Sequence, residues 1–165
     1  MLDTQAGPFG FASRSSFSQF VVFTLDESLY ALRLFSVERI VRMVEITALP
    51  QAPEMVLGVI NLHGEIIPVL DVRKRFGLAE RELDLSDHLI IARTPRRKAA
   101  LAVHAAIRVV ERPEAEVTAA DRVLPGLEYV EGVVKLEDGL ILIHNLEAFL
   151  SLEEEGAIEQ AMTLT

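Results

Sequence analysis

The chain has 165 residues and a mass of 18.3 kDa, enough for one domain or two very small ones. It is 50% hydrophobic and 25% charged, which excludes a mainly disordered chain, and its formal net charge of −9 argues against generic nucleic-acid binding, where clustered Lys and Arg must meet phosphates. The absence of cysteine excludes disulfides, thiolate metal sites and thiol catalysis.

Met1 to Ser16 lacks a basic region followed by an apolar stretch, so residues 1–16 read as a flexible lead-in. No run approaches the ~20 apolar residues of a membrane span, and a soluble chain without membrane insertion is expected. Phe17 to Leu25 is β-branched and aromatic, Asp26 to Ser28 is a polar turn, and Leu29 to Leu34 resumes the apolar run, together predicting a hairpin. Val37 to Val44 predicts a strand, with a helical turn near Phe35 to Glu38 as the alternative at its start. Pro50 and Pro53 break the chain, and Glu54 to Ile60 fits a short helix with Pro53 at its first position. Asn61 to Gly64 is a turn. Glu65 to Val72 predicts a strand placed at a sheet edge or bulge, because Pro68 lacks an amide donor. Arg73 to Gly77 closes it with one helical turn.

His88 to Ala92 and Ala99 to Val103 predict strands across the basic run Arg93 to Lys98, which reads as a solvated loop. Ile107 to Val110 is a further strand, and Pro113 to Asp121 is irregular. Tyr129 to Leu136 and Leu140 to Ile143 flank Glu137-Asp138-Gly139, a hairpin connection. Leu146 to Leu152 predicts a helix, and residues 153–165 form an acidic tail that extends it weakly or frays. Many short strands with turns every 8–12 residues predict an all-β fold rather than a parallel α/β sheet. No internal repeat survives residue-by-residue comparison. Ile66, Val69, Leu70, Phe20, Val22, Leu101 and Ile141 are the candidate core.

Chemistry is sparse. The four histidines lie far apart, so metal binding has little support, and Asp84, Asp87 and His88 read as an exposed turn. His104 and His144 sit at strand ends as hydrogen-bonded structural histidines. No Gly-x-Ser-x-Gly elbow and no phosphate-binding glycine pattern occurs. Asp71 and Arg73 read as a structural ion pair. A binding module is favoured over an enzyme, and no catalytic, cofactor or metal residue is assigned. The alternative is an enzymatic or small-ligand β-barrel domain, since fold alone does not determine function.

Val56 to Arg73 carries the most specific pattern. Gly58, Asn61, Leu62, Gly64, Ile67, Pro68, Val69, Asp71 and Arg73 match G-[VI]-x-N-L-R-G-x-[IV]-[IV]-P-[IV]-x-[DN]-L-R. In this the chain resembles the CheW-like chemotaxis coupling domains, over about Phe17 to Leu150. Residues 17–152 are therefore the expected domain. The resemblance implies two small five-stranded SH3-like β-barrels packed around a shared core, with a few short helices. It implies a non-enzymatic adaptor in the cytoplasm, at membrane-associated receptor arrays. Its implied partners are a CheA-type histidine kinase and the cytoplasmic tips of methyl-accepting chemoreceptors.

The implied receptor-binding surface is Val37, Arg39, Ile40 and Val41 on one strand, with Leu62, His63 and Gly64 in the turn. Two positions depart from the family pattern. His63 replaces the arginine of N-L-R-G, and Arg39 occupies a place usually acidic. Those two residues would not attract as the family's pair does.

Overall fold

Phe17–Leu25 (β1) pairs with Ser28–Arg33 (β2) as the expected hairpin, turning at Asp26 with φ +57°. The computed structural model describes residues 16–104, 108–123, 128–137 and 139–163. Most of the predicted lead-in, Ile107 and Asp138 lie outside the described residues. The remaining strands are Val37–Arg42 (β3), Val56–Leu62 (β4), Glu65–Leu70 (β5), His88–Arg93 (β6), Lys98–Val103 (β7), Arg108–Pro113 (β8), Thr118–Ala119 (β9), Val130–Leu136 (β10) and Gly139–His144 (β11). Short helices cover Val72–Arg75 (α1) and Ala120–Val123 (α2), and a longer one Leu152–Thr163 (α3).

The strands form two sheets: β8-β1-β2-β11-β10-β9, and β3-β6-β7-β5-β4. Side chains alternate across a strand, and here both faces of the central strands are buried. Phe20 and Val22 of β1 point into one cluster with Ala31, Val134, Ile141 and Ile143. Val21, Phe23 and Leu25 point the opposite way, into a second cluster with Leu32, Leu70, Ile90 and Leu101. Ile60, Ile67, Val69, Leu89 and Ile91 form a third, on the far side of the second sheet. Each sheet thus wraps its own small core, and the two share the middle one. This is the expected double-barrel architecture, except that the first sheet has six strands rather than five, because the two-residue β9 adds to β10. It explains why Phe20 to Phe23 and Leu89 to Ala92 are unbroken apolar runs rather than alternating ones.

Both sheets curl toward closure by the same device. Beyond β3, Thr47 exchanges two backbone hydrogen bonds with Val59 of β4, at 2.9 and 2.8 Å. In the first sheet, β9 pairs with Gly132 and Val133 of β10. The hairpins β4–β5 and β10–β11 superimpose in sequence. Val56-Leu-Gly-Val-Ile-Asn-Leu62 aligns with Val130-Glu-Gly-Val-Val-Lys-Leu136. Each carries a bulge just before its glycine. Each following strand runs parallel to a strand of the adjoining hairpin. Each ends on an Asx residue whose amide donates back across the pair, Asp71 to the Met55 carbonyl at 2.7 Å and Asn145 to that of Tyr129 at 2.8 Å. The repeat missed in the sequence is therefore real. Besides the glycine and the terminal Asx, the shared residues are common apolar strand residues, which do not stand out without the register.

Four local expectations need correction. Glu54 to Ile60 is a turn leading into β4, not a helix. Its Met55, Val56, Val59 and Ile60 spacing mimics a helical stripe because the bulge shifts strand parity by one. Leu146 to Leu150 is a chain of turns and bends, its first amides taken by the Asn145 side chain. The acidic segment instead forms α3, whose Ile158 and Ala161 are buried. Finally, β5 is an interior strand, between β7 and β4. Its ladder with β7 begins at Val69, immediately after Pro68, so the missing amide falls outside that ladder. Of the candidate core, only Ile66 is exposed, at 41%.

Candidate docking surface

The signature from Gly58 to Arg73 builds one rigid hairpin. Gly58 has φ +153°, and a Cβ there would stand 2.3 Å from the Thr47 carbonyl oxygen. Only glycine lets the closing strand approach so near. Asn61 forms the turn by accepting a hydrogen bond from the Gly64 amide at 2.8 Å. His63 and Gly64 take φ +54° and +90°, so the turn tip is left-handed at both positions. Asp71 caps α1 by accepting from the Lys74 amide at 3.1 Å. It does not pair with Arg73. That guanidinium instead grips Asp26 at 2.8 and 2.9 Å and the Ala79 carbonyl at 2.9 Å, locking the hairpin to the β1–β2 turn. Bonded first to Arg73, the Asp26 carboxyl is held below its ordinary value.

Two regions of the expected surface are tied together by Lys98, the last residue of the expected solvated loop and the first of β7. The Lys98 ammonium lies 3.0 Å from Glu38 on β3 and 3.0 Å from Glu65, next to the turn at Gly64. Arg93 adds a second cation 3.2 Å from Glu38. The hydrogen bond from Lys98 holds the Glu38 carboxyl below its ordinary value, and the bond to Glu38 raises the Lys98 pKa in return. The acidic contact on β3 is thus made by Glu38, the residue at the β3 bulge, with Lys98 as its partner. No hydrogen bond or salt bridge joins Arg39 to His63 among the described residues.

Around this network, Val37, Val41 and Leu62 are half-buried and pack against the cores. Arg39, His63 and Gly64 are exposed, and Ile40 is 37% exposed. The basic run is not a free loop: Arg97 reaches Glu155 and Glu159 of α3, both at 2.8 Å.

The other candidate groups serve structure. Asp87 is buried, clamped by both ends of the Arg81 guanidinium at 3.0 Å and by the Asp84 amide at 2.9 Å. Burial alone would raise its pKa, but the Arg81 bonds outweigh that and hold it below the ordinary value. His144 is 2% exposed, wedged edge-on between Phe76 and Phe149, and neither ring nitrogen has a partner. Burial, reinforced by the charge of Arg75, pushes its pKa down to about 3. The hydrogen bond expected for it is therefore not made. Among the described residues no three His, Asp or Glu side chains gather as a metal site. A surface cavity of about 640 Å³ is lined in part by Arg33, Glu131 and Asn145. Arg33 is already bonded to Glu131 at 2.7 Å and to Glu114 at 2.9 Å.

Two curled β-sheets around a shared core, with a hairpin braced by Thr47, Arg73 and Lys98, define a double-barrel scaffold. The CheW-like domain family matches residues 19–154, and the chain belongs to that family. It is 30% identical over 142 residues to the chemotaxis protein CheW of Treponema pallidum (strain Nichols), covering 82% of this chain and 84% of that one. It is 30% identical over 138 residues to CheW of Bacillus subtilis (strain 168), covering 81% and 86%. A crystal structure of the scaffolding protein TtCheW from Thermoanaerobacter tengcongensis superimposes with a TM-score of 0.75 at 36% identity, covering 83% of this chain and 94% of that one.

Proposed function

We propose that this chain is a non-enzymatic coupling adaptor that holds chemoreceptor cytoplasmic tips to a CheA-type histidine kinase, in the cytoplasm at receptor arrays. The observation that carries this reading is the braced hairpin. Lys98 braces the β4–β5 turn against β3, Thr47 ties the base of the hairpin, and Arg73 locks its far end to the β1–β2 turn, which supports reading Val37, Arg39, Ile40, Val41, Leu62, His63 and Gly64 as the receptor-binding region. Preorganisation of this kind lowers the ordering cost of association. Relatives named as chemotaxis and scaffolding proteins support it.

Reconstitution tests it. Membranes carrying the host's chemoreceptors are mixed with its chemotaxis kinase, and autophosphorylation is followed with and without this protein. The expected result is kinase activation and receptor co-sedimentation that both require the protein. An unchanged kinase rate together with no capture of either partner overturns the reading.

A further inference from the structure

On its own sequence α3 is a poor helix. Its twelve residues hold four glutamates, no base and a glycine at position 156. A Cβ at Gly156 would meet nothing within 4 Å, so no close approach calls for that glycine, which weakens a helix interior relative to alanine. Glu155 and Glu159 stand one turn apart, where like charges repel, and so short a segment is marginal as an isolated helix in water. Docking therefore folds it. Ile158 enters the central core, and Ala161 joins Leu49 and Val59 in a small cluster of their own. Arg97 takes both Glu155 and Glu159 at 2.8 Å, and Arg75 takes Glu154 at 2.6 Å. The dock reaches the β4–β5 hairpin by two routes. Val59, in the middle of β4, is the residue that exchanges two backbone hydrogen bonds with Thr47. Arg97 is followed in the chain by Lys98, whose ammonium braces Glu65 beside the turn and Glu38 on β3. The backbone leading into Lys98 is itself closed by Thr94, whose amide and hydroxyl both donate to the Arg97 carbonyl at 2.8 Å.

We infer that α3 is a strap whose docking orders the β4–β5 hairpin and the Leu62–Gly64 turn at its tip, so that the docked helix and the rigid turn form one cooperative unit. Release of α3 removes the packing of Ala161 on Val59, and it frees the Arg97 side chain beside the Lys98 brace. A helix that is marginal alone suits this device. It opens at low cost while the barrels stay folded, and so sets the stability of what it touches. The coupling is reciprocal: whatever grips the ordered turn favours the docked helix by the same factor. The inference holds whichever partner the turn meets, and it does not depend on the coupling reading above.

The test perturbs α3 in both directions at one exposed position that touches neither Arg97 nor the hairpin, and reads native-state amide hydrogen exchange of the full chain. Gly156→Pro removes a helix amide and is expected to speed exchange of the α3 amides, and with them those of Thr47, Val59 and Gly64, by about tenfold or more. Gly156→Ala is expected to slow the same set roughly twofold to fourfold, as alanine strengthens the helix. The amides of Phe23 and Tyr30, facing each other across β1 and β2, should keep the parent's rates in both variants. Helix amides that respond while Thr47, Val59 and Gly64 do not would overturn the coupling. Helix amides indifferent to both substitutions would overturn the strap. A change shared equally by Phe23 and Tyr30 would overturn it as well, since α3 would then stand or fall with the whole fold.

Discussion

Gly58 and Thr47 approach so closely that a single methyl group would part them: a Cβ on Gly58 would lie 2.3 Å from the Thr47 carbonyl oxygen. This contact closes the second barrel, because the same Thr47 exchanges both backbone hydrogen bonds with Val59. The equivalent glycine, Gly132, is less constrained. Its added Cβ would meet the Val117 side chain at 2.8 Å and the Thr118 carbonyl at 3.0 Å. Gly58→Ala should therefore cost ~3 kcal/mol or more, from a backbone clash and a positive φ together. Gly132→Ala should cost less, since a side chain can yield. Urea midpoints of the two variants check the order; equal losses would contradict it.

His144 should be a destabilising residue in the native fold. Its ring is buried with both nitrogens unpartnered, and the matching position of the other hairpin is Leu70. His144→Leu should stabilise the protein by ~1–2 kcal/mol near pH 7, by removing an unsatisfied buried polar group. Denaturant titrations of both proteins measure this directly.

The same residue sets a pH dependence. Its folded pKa, about 3, lies below its ordinary 6.5, so the unfolded chain binds the extra proton between these values. Stability therefore falls as pH drops from about 6.5 toward 3. Glu114, held below its ordinary 4.5 by Arg33 and then Ser18, contributes above that value and loses its contribution only as pH falls through its lowered folded value. Between pH 6.5 and 5 the decline belongs chiefly to His144, and His144→Leu should flatten it. A parent-like slope in that window would refute the assignment.

Arg97 and Arg93 offer a contrast within one basic run. The Arg97 side chain is 14% exposed and its partner Glu155 9%, whereas Arg93 is 65% exposed. Removing one partner of a largely desolvated pair leaves the other charge stranded. Arg97→Ala should cost about 2–4 kcal/mol and increase proteolysis of α3. Arg93→Ala should leave the urea midpoint unchanged. Limited proteolysis and urea melts of both variants separate the two roles.

Core packing gives a further check. Leu70 and Ile141 are at 0% and 1% exposure, so truncation of either to Ala should cost ~2–5 kcal/mol. Ile66, exposed beside the turn, should lose less than about 1 kcal/mol on the same change. Midpoint shifts of equal size would contradict the face assignment.

Much of this molecule was legible in its residues. The β1–β2 hairpin, the all-β class and the motif from Gly58 to Arg73 follow from local patterns: apolar runs, polar breaks and residues suited to tight turns. These signals survive because they depend on neighbours in the chain. Other features depend on residues far apart. The bulge at Leu57 disguised β4 as a helix, since a one-residue slip in parity makes two consecutive side chains face inward. Lys98 meets Glu38 and Glu65 only because β3, β7 and β5 share a sheet. Arg73 finds Asp26 rather than Asp71 because barrel packing brings the β1–β2 turn to α1. The acidic end of the chain folds as α3 because Arg75 and Arg97 offset its charge and the core admits Ile158. Sequence alone thus determined the family, the strand content and the turn that carries the motif. Which charges are paired and which stay exposed was decided by tertiary structure, because ion pairs and barrel closure are set by distance in space rather than along the chain.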